Sequence, residues 1–157
     1  MLKPILLVED NPRDLDLTLI ALEKTHLANE VVTARDGEEA LDYLFCRGSH
    51  QGRQKGNPAV VLLDLKLPKI DGLQVLAEIR KSDELRRLPV VILTSSREEQ
   101  DLISSYNLGV NAYVVKPVGF QEFLQAIQEL GVFWAVLNEP PPGSKRPEMN
   151  RTMESQA

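Results

Sequence analysis

Short apolar runs alternate with longer amphipathic segments along most of the chain. The runs predict five strands, over residues 4–8, 30–34, 60–64, 90–94 and 112–116. Residues 60–63 and 90–93 are apolar without polar alternation, which is typical of central strands covered on both faces of a parallel sheet. Helical periodicity between the runs predicts five helices. The chain is therefore expected to form a parallel sheet with right-handed crossovers and helices on both faces.

Polar residues mark the expected ends of the helices. Asn11 is expected to cap the first helix, with Pro12 at its first position. Similar starts follow at Asp36, where residues 36–39 resemble a capping box, at Asp71 and at Ser96. The fourth helix is expected to end at Gly109, since glycine readily takes the left-handed conformation found at helix ends. Residues 120–137 are predicted to form the last helix.

The strand order decides which side chains meet. In the order 2-1-3-4-5, known from flavodoxin-like sheets, strands one and three are neighbours and the chain reverses direction between them. Ligands of open α/β sheets bind at such a point, beyond the carboxyl ends of the strands. The residues that end or directly follow strands there are Glu9, Asp10, Asp64, Thr94 and Lys116. We therefore expect a doubly wound α/β fold with a site centred on Asp64.

These five side chains suggest a phosphoryl site with a divalent cation. Three carboxylates in one crevice repel one another unless a cation holds them. Oxygen ligation with room for water suits Mg²⁺, which usually binds one or two carboxylates together with phosphate oxygens. Lys116 offers a mobile positive charge for a phosphoryl oxygen, and Thr94 offers a hydroxyl donor. The set is consistent with an acyl phosphate formed on Asp64.

With these residues the chain resembles the receiver domain of two-component response regulators. The match rests on residues at the ends of four strands: the pair Glu9 and Asp10 after the first, Asp64 at the third, Thr94 at the fourth, and Lys116 and Pro117 at the fifth. Glu9 stands where the family more often has aspartate. We expect the receiver domain to span residues 3–137 and the proline-rich residues 138–157 to form a largely disordered tail.

The resemblance implies a phosphotransfer role for Asp64. This residue would accept a phosphoryl group from a phosphohistidine on a sensor histidine kinase, and Thr94 and Lys116 would bind the new phosphate. The implied Mg²⁺ ligands are Asp10, Asp64, the Lys66 carbonyl and, through water, Glu9. Tyr113 matches the aromatic switch residue that moves inward with Thr94, and the bond before Pro117 is expected to be cis. The protein would be a signalling switch and not an enzyme, with at most slow self-dephosphorylation.

A narrower resemblance is to the stand-alone regulators that partner cyanobacterial and bacterial phytochromes. It rests on the long polar loop 47–58, the segment 93–96 and the apolar end 131–137. It implies a phytochrome as the kinase and a homodimer formed through the last helices and the fifth strand. Apolar residues spread around the last helix, and not along one stripe, support an interface independently. The predicted interface residues are Phe133, Trp134, Val136 and Leu137.

Composition narrows the remaining possibilities. A chain of 157 residues, 43% of them hydrophobic, suits one domain with a full core. The net charge of -5 argues against nonspecific nucleic-acid binding, which needs clustered basic residues. The single cysteine, Cys46, cannot form an internal disulfide, and no apolar run reaches the roughly 20 residues that a membrane-spanning helix needs. We therefore expect a cytoplasmic protein without nucleic-acid or membrane partners.

A phosphatase of the haloacid dehalogenase type is the main alternative, because it also uses an aspartate nucleophile, a Thr or Ser, and a Lys in that order. Such an enzyme normally has an acid-base aspartate two residues after the nucleophile, where this chain has Lys66. A flavodoxin relative would need a hydroxyl-rich phosphate loop in place of residues 9–12. A DNA-binding regulator would need an output domain. The receiver interpretation therefore fits the residues better than these alternatives.

The double substitution Phe133→Ala and Trp134→Ala is expected to weaken self-association about tenfold or more, because large aromatic side chains anchor such contacts. Sedimentation velocity over a range of protein concentrations measures the effect, and Met149→Ala in the tail serves as the control. An unchanged profile would mean that these two side chains pack within their own domain.

Overall fold

The computed structural model describes residues 3–25, 28–54, 56–119, 121–123 and 125. Its strands are β1 (Ile5–Val8), β2 (Val31–Ala34), β3 (Val60–Asp64), β4 (Val90–Thr94) and β5 (Ala112–Val115). Its helices are α1 (Pro12–Glu23), α2 (Gly37–Phe45), α3 (Gly72–Lys81) and α4 (Arg97–Ser105), with one 3₁₀ turn at Gly48–His50. Each helix lies between two successive strands, as the alternating pattern predicted.

The five strands form one parallel sheet in the order β2-β1-β3-β4-β5, which confirms the predicted fold. Every residue of β1, β3 and β4 is buried. Alternate residues point to opposite faces, so Leu7 and Leu62 join one core with α1 while Leu6 and Leu63 join the other with α2 and α3. This two-sided burial explains the unbroken apolar runs in the sequence.

The helix caps agree with the sequence at all four predicted starts, Asn11, Asp36, Asp71 and Ser96. Asn11 caps α1 by accepting hydrogen bonds from two backbone N–H groups, and Pro12 occupies the first helical position. Asp71 and Gln74 form a complete capping box at α3. At α2 the expected box is incomplete, because the Glu39 carboxylate accepts from the N–H of the residue before the cap and not from the cap itself.

The prediction that α4 ends at Gly109 is wrong. The helix ends at Ser105, four residues earlier. Its last turn closes with hydrogen bonds from Tyr106 to Ile103 and from Asn107 to the residue three before it, and Asn107 takes the left-handed conformation at φ 55°. Asparagine tolerates this conformation better than most residues and therefore ends the helix before the glycine is reached.

The polar loop 47–58 is held against α2. The Arg53 guanidinium lies 4.0 Å from the centre of the Tyr43 ring and its Nε donates to the Tyr43 carbonyl at 2.8 Å. The ring of His50 packs edge-on against Tyr43 at 5.2 Å. A cation–π contact and packing against a buried aromatic ring therefore anchor this segment.

The predicted last helix is described only at its start, where residues 121–123 are helical and Phe123 is buried in the core beside α1. The predicted interface residues Phe133, Trp134, Val136 and Leu137 lie outside the described residues, as does the predicted tail. Among the described residues, none of the helices combines the length and the hydrophobicity that a membrane span requires.

Arg80 on α3 donates hydrogen bonds to two loops at the amino-terminal edge of the sheet. Its Nε donates to the Leu108 carbonyl at 2.8 Å. Its two terminal nitrogens donate to four more acceptors: the carbonyls of Arg86, Leu88 and Gly109, and Asn111 Oδ1. Asn111 Oδ1 in turn accepts from the first N–H of β4 at 2.9 Å. One planar cation thus satisfies acceptors from the loops before β4 and before β5.

Arg80→Lys is expected to lower the free energy of unfolding by about 2–3 kcal/mol, because a single ammonium cannot reach all these acceptors and leaves several short of a donor. Urea unfolding measures the loss. Arg86→Lys is the matched control, since the Arg86 side chain makes an exposed 3.6 Å contact with Asp83. This substitution should change stability by less than about 0.5 kcal/mol. Equal losses for both variants would contradict a bridging role for Arg80.

Candidate functional site

The carboxyl ends of β1 and β3 bring three carboxylates together, as the sheet order requires. Glu9 and Asp10 directly follow β1, and Asp64 is the last residue of β3. Carboxylate oxygens of these three residues all lie within 4.8 Å of one another. Glu9 and Asp64 are buried and Asp10 is exposed, so the cluster opens to solvent on one side.

Lys116 neutralises part of this negative charge. It directly follows β5, and its N–H donates to the Thr94 carbonyl at 2.8 Å, which fixes the backbone at that point. Its Nζ lies 3.1 Å from Glu9 Oε1, 3.2 Å from Asp64 Oδ2 and 2.9 Å from Asp14 Oδ2. One ammonium group therefore bridges three carboxylates, one directly after β1, one on α1 and one at the end of β3.

The pKa values at the site follow from burial and from these charges. Burial and the neighbouring charge of Asp64 raise the pKa of Glu9 to about 7. Burial works against the charged form of Lys116, but the hydrogen bond to Asp14 and the charges of Asp64 and Glu9 outweigh it and raise the pKa of the ammonium. The site therefore contains a fixed positive charge and one carboxyl group that ionises reluctantly.

The backbone around Asp64 is held closely. The N–H of Gly72 at the start of α3 donates to the Leu65 carbonyl at 2.9 Å. A side chain at Gly72 would collide with the Asp64 carbonyl oxygen, so only glycine lets α3 approach β3 this closely. Lys66 N–H lies 3.4 Å from Asp64 Oδ1. The first two contacts fix the backbone at Asp64, and the third lies against its carboxylate.

The acidic cluster has the donor set that a small divalent cation prefers. All of the gathered side-chain donors are carboxylate oxygens, which suit hard cations such as Mg²⁺ or Mn²⁺. A cation there would also relieve the repulsion between Glu9 and Asp64 that raises the Glu9 pKa. The residues present therefore fit a divalent ion held by Glu9, Asp10 and Asp64.

Thr94 is the last residue of β4 and is buried. Since β4 pairs with β3, Thr94 lies on the strand next to the one that ends at Asp64. Its hydroxyl donates to Glu99 Oε1 at 2.8 Å or to the Ser96 carbonyl at 2.9 Å, and it accepts from the Ser96 N–H at 3.2 Å. In the described part of the chain it has no hydrogen bond with Asp64. Thr94 therefore lies at the expected edge of the sheet, and its hydroxyl forms hydrogen bonds with residues at the start of α4.

Two further predicted residues lie on or after β5. The Tyr113 hydroxyl forms a 2.9 Å hydrogen bond with Ser104 Oγ on α4, so the ring links the fifth strand to the fourth helix. The peptide bond between Lys116 and Pro117 is cis, as expected. Tyr113 is half-buried, and its hydroxyl is engaged at the surface of the molecule.

Sequence reasoning missed two charged residues of the site. Asp14 contacts Lys116, and its position in the first turn of a helix capped by Asn11 is a signal that could have placed it beside the strand ends. Glu99 contacts Thr94 and also pairs with Lys66 Nζ at 3.3 Å. The capping-box spacing from Ser96 to Glu99 was visible in the sequence, but its contact across to the β3 loop was not.

A family model, named relatives and solved structures all match this chain, and they indicate the same protein family. A family model described as the response regulator receiver domain matches residues 5–128. The solved structure of the bacteriophytochrome response regulator AtBRR is 72% identical with a TM-score of 0.83, and the match covers 88% of this chain and 99% of that one. The probable methanogenesis regulatory protein FilR2 of Methanothrix harundinacea is 41% identical over 137 residues, which are 87% of this chain and 86% of the relative.

Response regulator Rcp1 of Synechocystis is 40% identical over 132 residues, which are 84% of this chain and 88% of the relative. The Mn²⁺-bound structure of Rcp1 is 38% identical with a TM-score of 0.69, and it covers 90% of this chain and 99% of that one. Residues 5–128, which the family model matches, include all five strands and the acidic cluster at the carboxyl ends of β1 and β3. The chain therefore belongs to the family of response regulator receiver domains.

Proposed function

We propose that the protein is a phosphorylation-controlled switch in which Asp64 accepts a phosphoryl group from the phosphohistidine of a sensor histidine kinase. The observation that carries this proposal is the Asp64 carboxylate, which lies within 4.8 Å of the Glu9 and Asp10 carboxylates and 3.2 Å from the Lys116 ammonium. Phosphoryl transfer depends mainly on positioning and on neutralising charge, and both are built into this cluster. The resulting signal would pass to other proteins through changes at the surface.

The transfer has a simple balance of bonds. An Asp64 oxygen forms a bond to phosphorus while the bond from phosphorus to the kinase imidazole nitrogen breaks, and that nitrogen keeps the electron pair. Lys116 Nζ lies 3.2 Å from Asp64 Oδ2, within reach of a phosphoryl oxygen that binds there. Attack of water on the acyl phosphate would release inorganic phosphate and restore the carboxylate.

A divalent ion, Mg²⁺ in the cell, completes the proposal. Asp10 and Asp64 would hold it, with the Lys66 carbonyl as a further oxygen ligand and Glu9 bound through water. The ion would supply positive charge against the phosphoryl oxygens. The donor set supports this assignment, as does the Mn²⁺-bound form of Rcp1, a relative that covers most of this chain.

The kinase we propose is a phytochrome-type sensor. Support comes from the 72% identity with a bacteriophytochrome response regulator. The relative FilR2 is named as a probable methanogenesis regulatory protein, so similarity of this degree is not limited to regulators named for phytochromes. Phosphorylation by phytochrome-type and unrelated kinases, compared side by side, therefore tests the input separately from the role of Asp64. We also propose a homodimer formed through the last helices and the fifth strand.

Slow hydrolysis fits this site better than phosphatase turnover. A haloacid dehalogenase would need an acid-base carboxylate at the position of Lys66. The Lys66 side chain instead carries a positive charge and lies 3.3 Å from Glu99 Oε2. It cannot act as the general acid-base carboxylate of such an enzyme.

Asp64→Asn keeps the shape of the side chain and removes the nucleophilic charge, so it is expected to abolish labelling by a phosphorylated histidine kinase. Transfer of ³²P from the kinase in the presence of Mg²⁺ measures this, and chelation of Mg²⁺ should abolish labelling of the wild type. Asp83→Asn is the control, because the Asp83 side chain is 94% exposed and lies in the turn before β4. Retained label on the Asp64 variant would assign the acceptor role to another residue.

The raised pKa of Glu9 predicts a pH-dependent stability in chelator-treated protein. Its pKa is 4.5 in an unfolded chain and about 7 in the folded protein, so the folded state binds more protons between these values. Stability should therefore fall as pH rises through this window, by about 2–3 kcal/mol from Glu9 alone. Glu9→Gln removes that component and should be the more stable variant at pH 8.

Urea unfolding at pH 5 and pH 8 measures this difference, with the exposed Glu23→Gln as the control. Addition of Mg²⁺ should stabilise the wild type more than the Glu9→Gln variant, since the ion favours the ionised carboxylate. Identical pH dependence for the wild type and Glu9→Gln would show that Glu9 is not the group that ionises near neutrality.

A further inference from the structure

Glu99, on the first turn of α4, connects Thr94 to the loop that follows Asp64. Glu99 Oε1 accepts from Thr94 Oγ1 at 2.8 Å and from Ser95 N–H at 2.9 Å. Its other oxygen, Oε2, lies 3.3 Å from Lys66 Nζ. One carboxylate thus contacts the hydroxyl at the end of β4 and a cation two residues after the proposed phosphoacceptor.

Helix capping accounts for only part of this arrangement. Glu99 is the third residue of α4, and Ser96 caps that helix by accepting from Glu99 N–H. The same position in α2 is Glu39, whose carboxylate accepts from Arg35 N–H at 3.0 Å while Asp36 caps the helix. Both glutamates therefore bind the N–H just before the cap. Only Glu99 also binds a threonine hydroxyl at the functional edge of the sheet.

The bond to Glu99 competes with the role proposed for Thr94. A hydroxyl has one hydrogen, and a carboxylate is a stronger acceptor than the Ser96 carbonyl that lies 2.9 Å away. A hydroxyl that donates to Glu99 cannot donate to a phosphoryl oxygen on Asp64. Thr94 must therefore release Glu99 before it can bind the phosphoryl group.

The Glu99 carboxylate is ionised across the physiological pH range. Burial alone would raise its pKa, but hydrogen bonds from the Ser95 backbone, Thr94 and Lys66 outweigh burial and lower the pKa to about 2. The hydrogen bond to Thr94 is thus charge-assisted, a class about twice as strong as bonds between neutral groups.

We propose that Glu99 is a positioning residue that holds the Thr94 hydroxyl in the orientation of the unphosphorylated protein and so opposes its engagement with a phosphoryl group on Asp64. The proposal rests on the proposed function of Asp64, and it adds a residue on α4 that sets how readily the switch responds. Release of Thr94 leaves Glu99 with Ser95 N–H and Lys66, so the start of α4 keeps its cap in the activated arrangement.

Binding of trifluoroberyllate, which mimics a phosphoryl group on aspartate, in the presence of Mg²⁺ tests the proposal. Glu99→Ala removes the competing acceptor and is expected to tighten trifluoroberyllate binding about tenfold relative to the wild type. Glu99→Gln retains a neutral acceptor and should tighten binding about threefold. Glu39→Ala is the matched control, because it removes the equivalent cap contact in α2 and should leave the affinity unchanged.

A double-mutant cycle with Thr94→Ala separates positioning from simple charge. If Glu99 acts through Thr94, Glu99→Ala should change affinity less than about twofold in the Thr94→Ala background. A gain of the same size in both backgrounds would overturn the proposal and assign the effect to removal of a negative charge. Unchanged or weaker binding by both single Glu99 variants would overturn it as well.

The same experiment distinguishes this proposal from the function on which it rests. If the wild type binds trifluoroberyllate and Asp64→Asn does not, the role of Asp64 stands whatever the Glu99 variants show. If the wild type itself does not bind, the proposed function fails and the positioning role fails with it. Thermal unfolding of Glu99→Gln and Glu39→Ala checks that affinity changes do not follow stability.

Discussion

The Lys116 ammonium is the charge on which the rest of the site depends. Three carboxylates from separate elements, Glu9, Asp14 and Asp64, lie within 3.2 Å of it at their nearest oxygens. Glu9 and Asp64 are buried, and burying two carboxylates without a positive partner would cost far more free energy than an exposed ion pair contributes. The fold places this cation by pairing β5 with β4, so the edge strand, and not the loops, makes the acidic crevice possible.

Much of the fold could be predicted because its central strands are buried on both faces. An unbroken apolar run such as Val60 to Leu63 admits few other interpretations once helical segments separate it from the next run. The candidate site followed from the same topology, since Glu9, Asp64 and Lys116 had to meet wherever the carboxyl ends of parallel strands meet. Position along the strand was therefore sufficient to locate them.

The remaining features depend on side-chain direction or on competition between local signals. Asp14 and Glu99 belong to the site because of where their helices aim them, which spacing alone does not report. The predicted end of α4 was wrong because Asn107 and Gly109 can both take the left-handed conformation. The hydrogen bonds that close the last turn stop at Asn107, the first of the two. The anchored loop likewise depends on a contact between Arg53 and a ring ten residues away.

The anchoring of Leu108 and Gly109 by Arg80 has a mechanical consequence for α4. The exit from this helix is fastened to α3, whereas its first turn is held by hydrogen bonds that involve the Thr94 hydroxyl. A displacement that starts at Thr94 would therefore move the first turn of α4, while hydrogen bonds from Arg80 hold the residues that follow the last turn. The helix would rotate about a point near residue 108 and would not slide along the sheet. A small motion beside Asp64 would then change the tilt of α4 relative to the sheet.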